Sequence, residues 1–199
     1  MWIVDDFFKD PYNIRNISLK LKDHYRSDKD YRWPGYRVDA PQSLAVQYTS
    51  KVLDVTQDEK LEISNCYFQY SDASYGTGSV HHDPGKYTCI TYLNPNPSSN
   101  SGTEVYTLDN PGGDDYNNKS YIIKNRFYSS DRNPIQKFFF EKKVKEFNSI
   151  FKDPCIVANK FNRTLIFDSG RCHRAQNFFG NDLRDSRLTL ISFVYGDNK

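Results

Sequence analysis

Apolar residues recur at helical spacing in three segments of this chain. The first opens at Asp10–Pro11, where a capping carboxylate precedes a proline whose missing N–H costs nothing at the first helical position. Ile14, Ile17 and Leu21 then fall on one face. A second helix is predicted to begin near Pro41, with Leu44, Tyr48, Val52 and Val55 pointing inward. Between them, residues 31–37 (YRWPGYR) read as a loop punctuated by Pro and Gly. A third helix is predicted after Asn133–Pro134, with Phe140, Val144, Phe147 and Phe151 as its apolar face.

Elsewhere the period shortens to two. Residues 63–70, 79–83, 87–93 and 103–108 are short runs rich in Tyr, Thr, Val and Ile. So are residues 156–161, 164–167, 172–175 and 187–195. Segments such as 94–102 (NPNPSSNSG) and 109–119 (DNPGGDDYNNK) break them with turn-forming residues. Helices first, strands after and one helix inserted predict a mainly β chain of the α+β class, its antiparallel core covered on one face by helices. A single domain over residues 1–199 is expected: a helical N-terminal support over 1–60, then a β core over 61–199 with an inserted helix near 134–151.

Composition narrows the function classes. Lys and Arg number 27 against 25 Asp and Glu, a formal charge of +2, and no run of five basic residues occurs. A nucleic-acid binder needs a basic stripe, so this balance argues against such a partner. No segment approaches the ~20 apolar residues of a membrane span, and the N-terminal MWIVDDFFKD lacks the basic and apolar regions of a secretory leader. The four cysteines, Cys66, Cys89, Cys155 and Cys172, form no C-x-x-C pair and are read as reduced thiols. A cytoplasmic location is therefore expected.

The candidate chemistry lies in SVHHDPG. His81 and Asp83 are two positions apart, so in an extended chain both side chains face one side, and Pro84–Gly85 ends the strand there. Alone, H-x-D is a frequent chance pattern. A third ligand must come from a distant segment. His24 lies at the end of the first helix, while His173 follows the turn at 168–171 late in the chain. Two imidazoles and one carboxylate make the facial triad of non-haem iron oxygenases, which leaves coordination positions open. His82 alternates away from His81 and reads as a packed or surface histidine.

The flanking sequence sharpens this. After the turn comes KYTCITYLNPN, with Thr88, Tyr92, Leu93 and Asn94 in a T-x-x-x-Y-L-N pattern. It resembles the strand after the H-x-D motif in prolyl-hydroxylase-type members of the Fe(II)/2-oxoglutarate-dependent oxygenase superfamily. SGTEVY (101–106) resembles the glycine-rich strand that follows, with one glycine, Gly102, where two adjacent ones are common. NRTLIFDSGRCHRA resembles the segment holding the distal histidine, and DSRLTLISFVY the strand bearing the basic residue for the co-substrate. The likeness runs from about residue 66 to 195, in four elements in order, and is nearest to compact phage and bacterial members.

The resemblance implies a double-stranded β-helix (jelly-roll) core with N-terminal helices packed on one face. It implies Fe(II) on His81, Asp83 and His173, with 2-oxoglutarate and dioxygen as co-substrates and ascorbate as an auxiliary reductant. The outcome is hydroxylation of an unactivated C–H bond with release of succinate and carbon dioxide. Arg187 is the expected anchor for the far carboxylate, because a guanidinium binds it bidentately and stays charged when buried. Arg184 and Arg174 are rivals. Tyr92 matches the tyrosine whose hydroxyl reaches the same carboxylate, Thr189 shares the Arg187 face, and Tyr70 or Tyr75 is expected near the other end of the co-substrate. By analogy the substrate is a peptide or protein side chain, or a small amino-acid-like molecule, selected by the loops at 31–42, 71–78 and 109–131. The competing readings are a nucleic-acid oxidative demethylase on the same fold and a non-catalytic jelly-roll binding or structural protein. Oligomeric state is open.

Overall fold

The computed structural model describes residues 1–27, 33–58, 60–62, 65–107 and 133–196. Among these, eight strands form one antiparallel sheet: Trp2–Val4 (β1), Arg26–Ser27 (β2), Tyr36–Asp39 (β3), Leu61–Glu62 (β4), Cys66–Ser71 (β5), Tyr87–Tyr92 (β6), Thr164–Asp168 (β9) and Arg187–Gly196 (β11). Their order is β1-β9-β6-β11-β5-β3-β2, with β4 also on β11. A second, three-stranded antiparallel sheet runs β10-β7-β8, from His173–Ala175 (β10), Thr103–Val105 (β7) and Cys155–Val157 (β8). Three described α-helices accompany them: Pro11–Lys20 (α1), Gln42–Thr56 (α2) and Pro134–Asn148 (α3).

The capping signals act as the sequence predicts. Asp10 accepts the Asn13 amide at 3.0 Å, and Pro11 is the first residue of α1. Asn133 and Gln136 form a reciprocal capping box on α3. α2 stops at Gln57, whose left-handed φ of 55° ends the helix.

Alternation along β11 explains the layering. Leu188, Leu190 and Val194 face α1 and α2, in a core that also holds Leu44, Tyr48, Val52, Phe68, Cys89 and Ile166. Tyr48 is wholly buried, and its hydroxyl is satisfied by Thr91 Oγ1 at 2.8 Å, so burying a polar tip there leaves nothing unpaired. Each such fully buried apolar side chain stabilises the layer by roughly 1.5–3 kcal/mol. On the other face of the large sheet, Ile90, Tyr92, Leu165 and Phe167 pack against Val105 and Val157 of the small sheet. The two sheets therefore enclose a second interior.

Three sequence expectations need correction. Residues 79–83 form no strand; a single bridge joins His81 to His173, whose backbones exchange hydrogen bonds at 3.0 and 2.8 Å. Pro84 has no N–H to extend the ladder, and Gly85 turns the chain at φ +90°. The first sixty residues are not helical alone, because β1, β2 and β3 join the large sheet. β3 starts inside the predicted 31–37 loop, where pairing of Tyr36 and Arg37 with Tyr70 and Gln69 overrides the local Pro-Gly signal. Leu108, the predicted loop at 109–119 and the whole of the proposed substrate loop 109–131 lie outside the described residues. No described helix is long and apolar enough to cross a membrane.

Candidate metal centre

His81, Asp83 and His173 converge, with candidate ligand atoms all within 4.8 Å of one another. Asp83 Oδ2 lies 3.0 Å from His173 Nε2, and Asp83 Oδ1 lies 3.6 Å from His81 Nε2. Those spacings suit donors sharing one ion, since cis ligands ~2.1 Å from a metal sit ~3 Å apart. The ring orientations suit it too. His81 Nδ1 is 2.8 Å from the Ser79 carbonyl, and His173 Nδ1 is 3.0 Å from the Arg171 carbonyl. A carbonyl only accepts, so each Nδ1 is the donor in its contact, and the Nε2 of each ring faces Asp83. Two imidazole nitrogens and one carboxylate are a donor set for a divalent transition metal such as iron, and the residues fit that group.

Supporting contacts come from separate elements. Thr88 on β6 donates to Asp83 Oδ2 at 3.1 Å and shares a 3.0 Å hydrogen bond with Ser169 Oγ. The Asp83 amide is held by the Ser169 carbonyl at 3.0 Å. Asn148, the last residue of α3, accepts from the Val80 amide at 3.0 Å and donates to the Gly78 carbonyl at 2.9 Å. One side chain thus replaces a missing strand neighbour for the segment that carries His81. Phe167 packs edge-on against His173, with ring centroids 4.7 Å apart.

The triad opens into a cavity of about 560 Å³ between the sheets. Arg187 lines the same cavity and is 5 % exposed. Its Nε donates to the Ser101 carbonyl at 3.0 Å, its Nη2 reaches Thr103 Oγ1 at 3.4 Å, and its guanidinium lies 5.5 Å from the Tyr92 ring centroid. Burial lowers its pKa below the ordinary guanidinium value, and Tyr92 opposes that shift. Gly102 precedes Thr103 where β7 meets β8 so closely that a Cβ would stand 2.1 Å from the Val157 carbonyl oxygen; only glycine fits there.

The other expected residues divide. Tyr92 is buried beside Arg187, but its hydroxyl donates to Thr103 Oγ1 at 2.7 Å and it does not line the cavity. Thr189 is buried and donates to the Gln69 carbonyl at 3.3 Å, also away from the cavity wall. Tyr75 sits in the short 3-10 turn Ala73–Tyr75, against Phe178 rather than in the cavity. His82 is exposed and does not line the cavity. Arg184 is exposed, and Arg174 forks onto Glu104 at 2.7 and 2.8 Å. Thr103 was missed by sequence reasoning: it lines the cavity and accepts from both Tyr92 and Arg187, which turns its own proton toward a third acceptor. Asn148 was missed as well, having no local sequence signal. Thr88 stands in the strand pattern after Asp83, and strand alternation puts it on the Ile90 face.

Solved structures share this architecture. A prolyl-4-hydroxylase from Pseudomonas putida matches with a TM-score of 0.59 at 10% identity, covering 99% of this chain and 92% of that one. A prolyl hydroxylase from Trichoplax adhaerens, in complex with a hypoxia inducible factor peptide fragment, matches with a TM-score of 0.58 at 14% identity over 96% and 82%. HygX from Streptomyces hygroscopicus, with nickel and 2-oxoglutarate bound, matches with a TM-score of 0.57 at 13% identity over 98% and 82%. The chain thus has the fold of prolyl-4-hydroxylase-like and 2-oxoglutarate-dependent enzymes. By sequence it belongs to a family of unknown function (DUF6445), whose model matches residues 1–194. No curated protein matches it.

Proposed function

We propose that this protein is a single-domain Fe(II)- and 2-oxoglutarate-dependent oxygenase whose two sheets are the layers of a double-stranded β-helix. One observation carries the reading: His81, Asp83 and His173 converge in a cavity that also holds the buried cation Arg187. A metal triad alone suits hydrolytic and structural sites as well, and a buried arginine alone suits a structural ion pair. A single cavity with both is built for a chelating anion. The nickel and 2-oxoglutarate bound in HygX support the same assignment.

His81 and His173 would hold the iron through Nε2 and Asp83 through its carboxylate. The bound iron, with 2-oxoglutarate and dioxygen, supplies the oxidising power to hydroxylate an unactivated C–H bond, releasing succinate and carbon dioxide. The protein supplies position. Thr88 holds the Asp83 carboxylate, and the Ser169 carbonyl holds the Asp83 backbone amide. Arg187 pairs with the distal carboxylate of 2-oxoglutarate, whose burial without a partner would cost several kcal/mol. Thr103 offers its remaining proton to that carboxylate, and Tyr92 holds Thr103 and flanks the guanidinium. Ile90, Ile191 and Phe178 make part of the cavity wall apolar and limit water there. The substrate is a peptide or protein side chain or a small amino-acid-like molecule, and ascorbate serves as auxiliary reductant.

The test is anaerobic titration of purified protein with Fe(II) and 2-oxoglutarate, read as the visible metal-to-ligand charge-transfer band, followed by succinate release in air. Wild type and His82→Ala should develop the band; His81→Ala and Asp83→Ala should not. A wild type that binds neither Fe(II) nor 2-oxoglutarate, or equal loss in His82→Ala and His81→Ala, would overturn the reading.

A further inference from the structure

α3 is apolar on two opposite sides. On one side Val144 and Phe147 are buried, and Phe147 and Phe151 pack with Val80, Tyr106 and Cys172. At ~3.6 residues per turn, Ile135 and Phe139 stand on the far side of the helix from Val144. Ile135, Phe138 and Phe139 are each more than half exposed, and so is Ile150 in the turn just past the helix. The Phe138 and Phe139 rings touch edge to face, with centroids 5.9 Å apart. A helix that is apolar on both sides needs two partners, because large apolar side chains left in water forfeit their burial energy. Exposed patches of this kind mark interaction sites.

The charges within the exposed stripe say what fits it. Phe138, Lys142, Glu146 and Ile150 are spaced by four, so they form one ridge of the helix. Lys142 and Glu146 are exposed, and neither pairs with another charge among the described residues. The ridge is self-complementary about position 144. Under a two-fold axis at that level, antiparallel copies bring residue 142 opposite 146 and residue 138 opposite 150, each pairing occurring twice. Cation then meets anion, and apolar meets apolar. A parallel pair would set Lys142 against its own copy, and Glu146 likewise.

We propose that the exposed face of α3 is a self-association surface on which a second copy of this chain docks antiparallel. Phe138 and Phe139 pack against the second copy's Ile150, and Lys142 pairs with its Glu146. Four large apolar side chains, each more than half exposed, present on the order of 500 Å². Two copies together bury about 1,000 Å², the lower limit for a specific interface, so the dimer is weak and reversible. An acidic lipid surface suits the stripe less well. A helix lying on a membrane keeps its charges on the opposite face, whereas here a carboxylate stands within the apolar stripe. None of these residues lines the cavity, so the surface is separate from the metal centre and the proposal is independent of the oxygenase reading.

The test is sedimentation velocity of the full chain over a dilution series through the micromolar range. Wild type should pass from monomer to dimer as concentration rises, and Phe138→Asp should stay monomeric. By symmetry, Lys142→Glu or Glu146→Lys alone turns two attractive contacts into two repulsive ones. The dissociation constant should therefore rise at least ~10-fold in each. An equimolar mixture of these two variants should recover the dimer, because every contact then joins opposite charges. The double variant, in which the pair is exchanged, should recover it as well. All the altered side chains are exposed, so circular dichroism should match wild type throughout, and recovery on mixing shows separately that both charge variants are folded. A wild type that stays monomeric, a dimer that survives Phe138→Asp, single charge variants that associate like wild type, or a mixture that fails to recover overturns the proposal. A monomeric wild type that co-sediments with acidic phospholipid vesicles also overturns it, and makes the stripe a membrane face instead.

Discussion

On the proposed assignment, replacement of Arg187 by leucine should separate co-substrate binding from metal binding. The guanidinium is 5 % exposed and shares its cavity with the triad, while its Nε also satisfies the Ser101 carbonyl. Removing it leaves the distal carboxylate of 2-oxoglutarate unpaired in the cavity interior, at a cost of roughly 2–5 kcal/mol for truncating one partner of a buried charge pair. At ~1.4 kcal/mol per tenfold, the 2-oxoglutarate Kd should rise between about 30-fold and several thousand-fold. Arg187→Lys keeps the charge and loses the fork, so a smaller rise of about 5- to 30-fold is expected, on the basis of ~1–2 kcal/mol for a lost charge-assisted bond. Leucine also strands the Ser101 carbonyl, destabilising the fold by about 1–3 kcal/mol; thermal unfolding without ligand measures that part alone. The assay is the anaerobic charge-transfer titration, with Fe(II) retention followed by competition with a chromogenic chelator. Unchanged 2-oxoglutarate affinity in Arg187→Leu would refute the assignment. Parallel loss of iron would show that Arg187 supports the metal instead.

Thr88→Val removes a buried hydroxyl that donates to Asp83 and bonds Ser169 while keeping the side-chain shape. Metal affinity by chelator competition should fall about 10- to 100-fold, and an unchanged value would show that the hydroxyl does not position the ligand. Asp5 bonds Arg163 at 2.6 and 3.0 Å and Lys160 at 2.8 Å, contacts that hold its carboxyl well below its usual pKa of 3.8. Because the folded-state value is depressed, the stability difference between wild type and Asp5→Asn, ~0.5–1 kcal/mol for an exposed network, should be complete above pH ~3.8. It should vanish as pH falls toward the folded value, and a difference that persists in strong acid by denaturant unfolding would contradict the charge argument. Among the cysteines, burial raises Cys66 to about 12 and Cys89 further still, whereas Cys155 is exposed. A chromogenic disulfide reagent at pH 8 should therefore modify one thiol fast in the native protein, and Cys155→Ser should remove that phase.

Legibility followed the range of the interactions. The caps at Asp10 and Asn133 act within one helical turn, so the sequence predicts them directly. Alternation is equally local: it puts Arg187 with Ile191 wherever β11 goes, whereas His81 and Asp83 meet outside any strand, held by backbone bonds to His173 and Ser169. The proposed ligand set follows from chemistry, since few residues of the right type exist, and its distal member is marked by resemblance to a known segment. Hydroxyl roles depended on partners far along the chain. Tyr92 turns to Thr103 on the facing sheet and Thr189 to the Gln69 carbonyl on the neighbouring strand, so neither lines the cavity as expected. Asn148 secures the His81 segment from the end of a helix inserted far downstream, and β3 brings Arg37 beside Gln69 through pairing that overrides a Pro-Gly loop signal. A residue's type and its face on a strand are properties of its neighbours in sequence. Which buried donor meets which acceptor depends on register between distant strands, and only the closed pair of sheets sets that register.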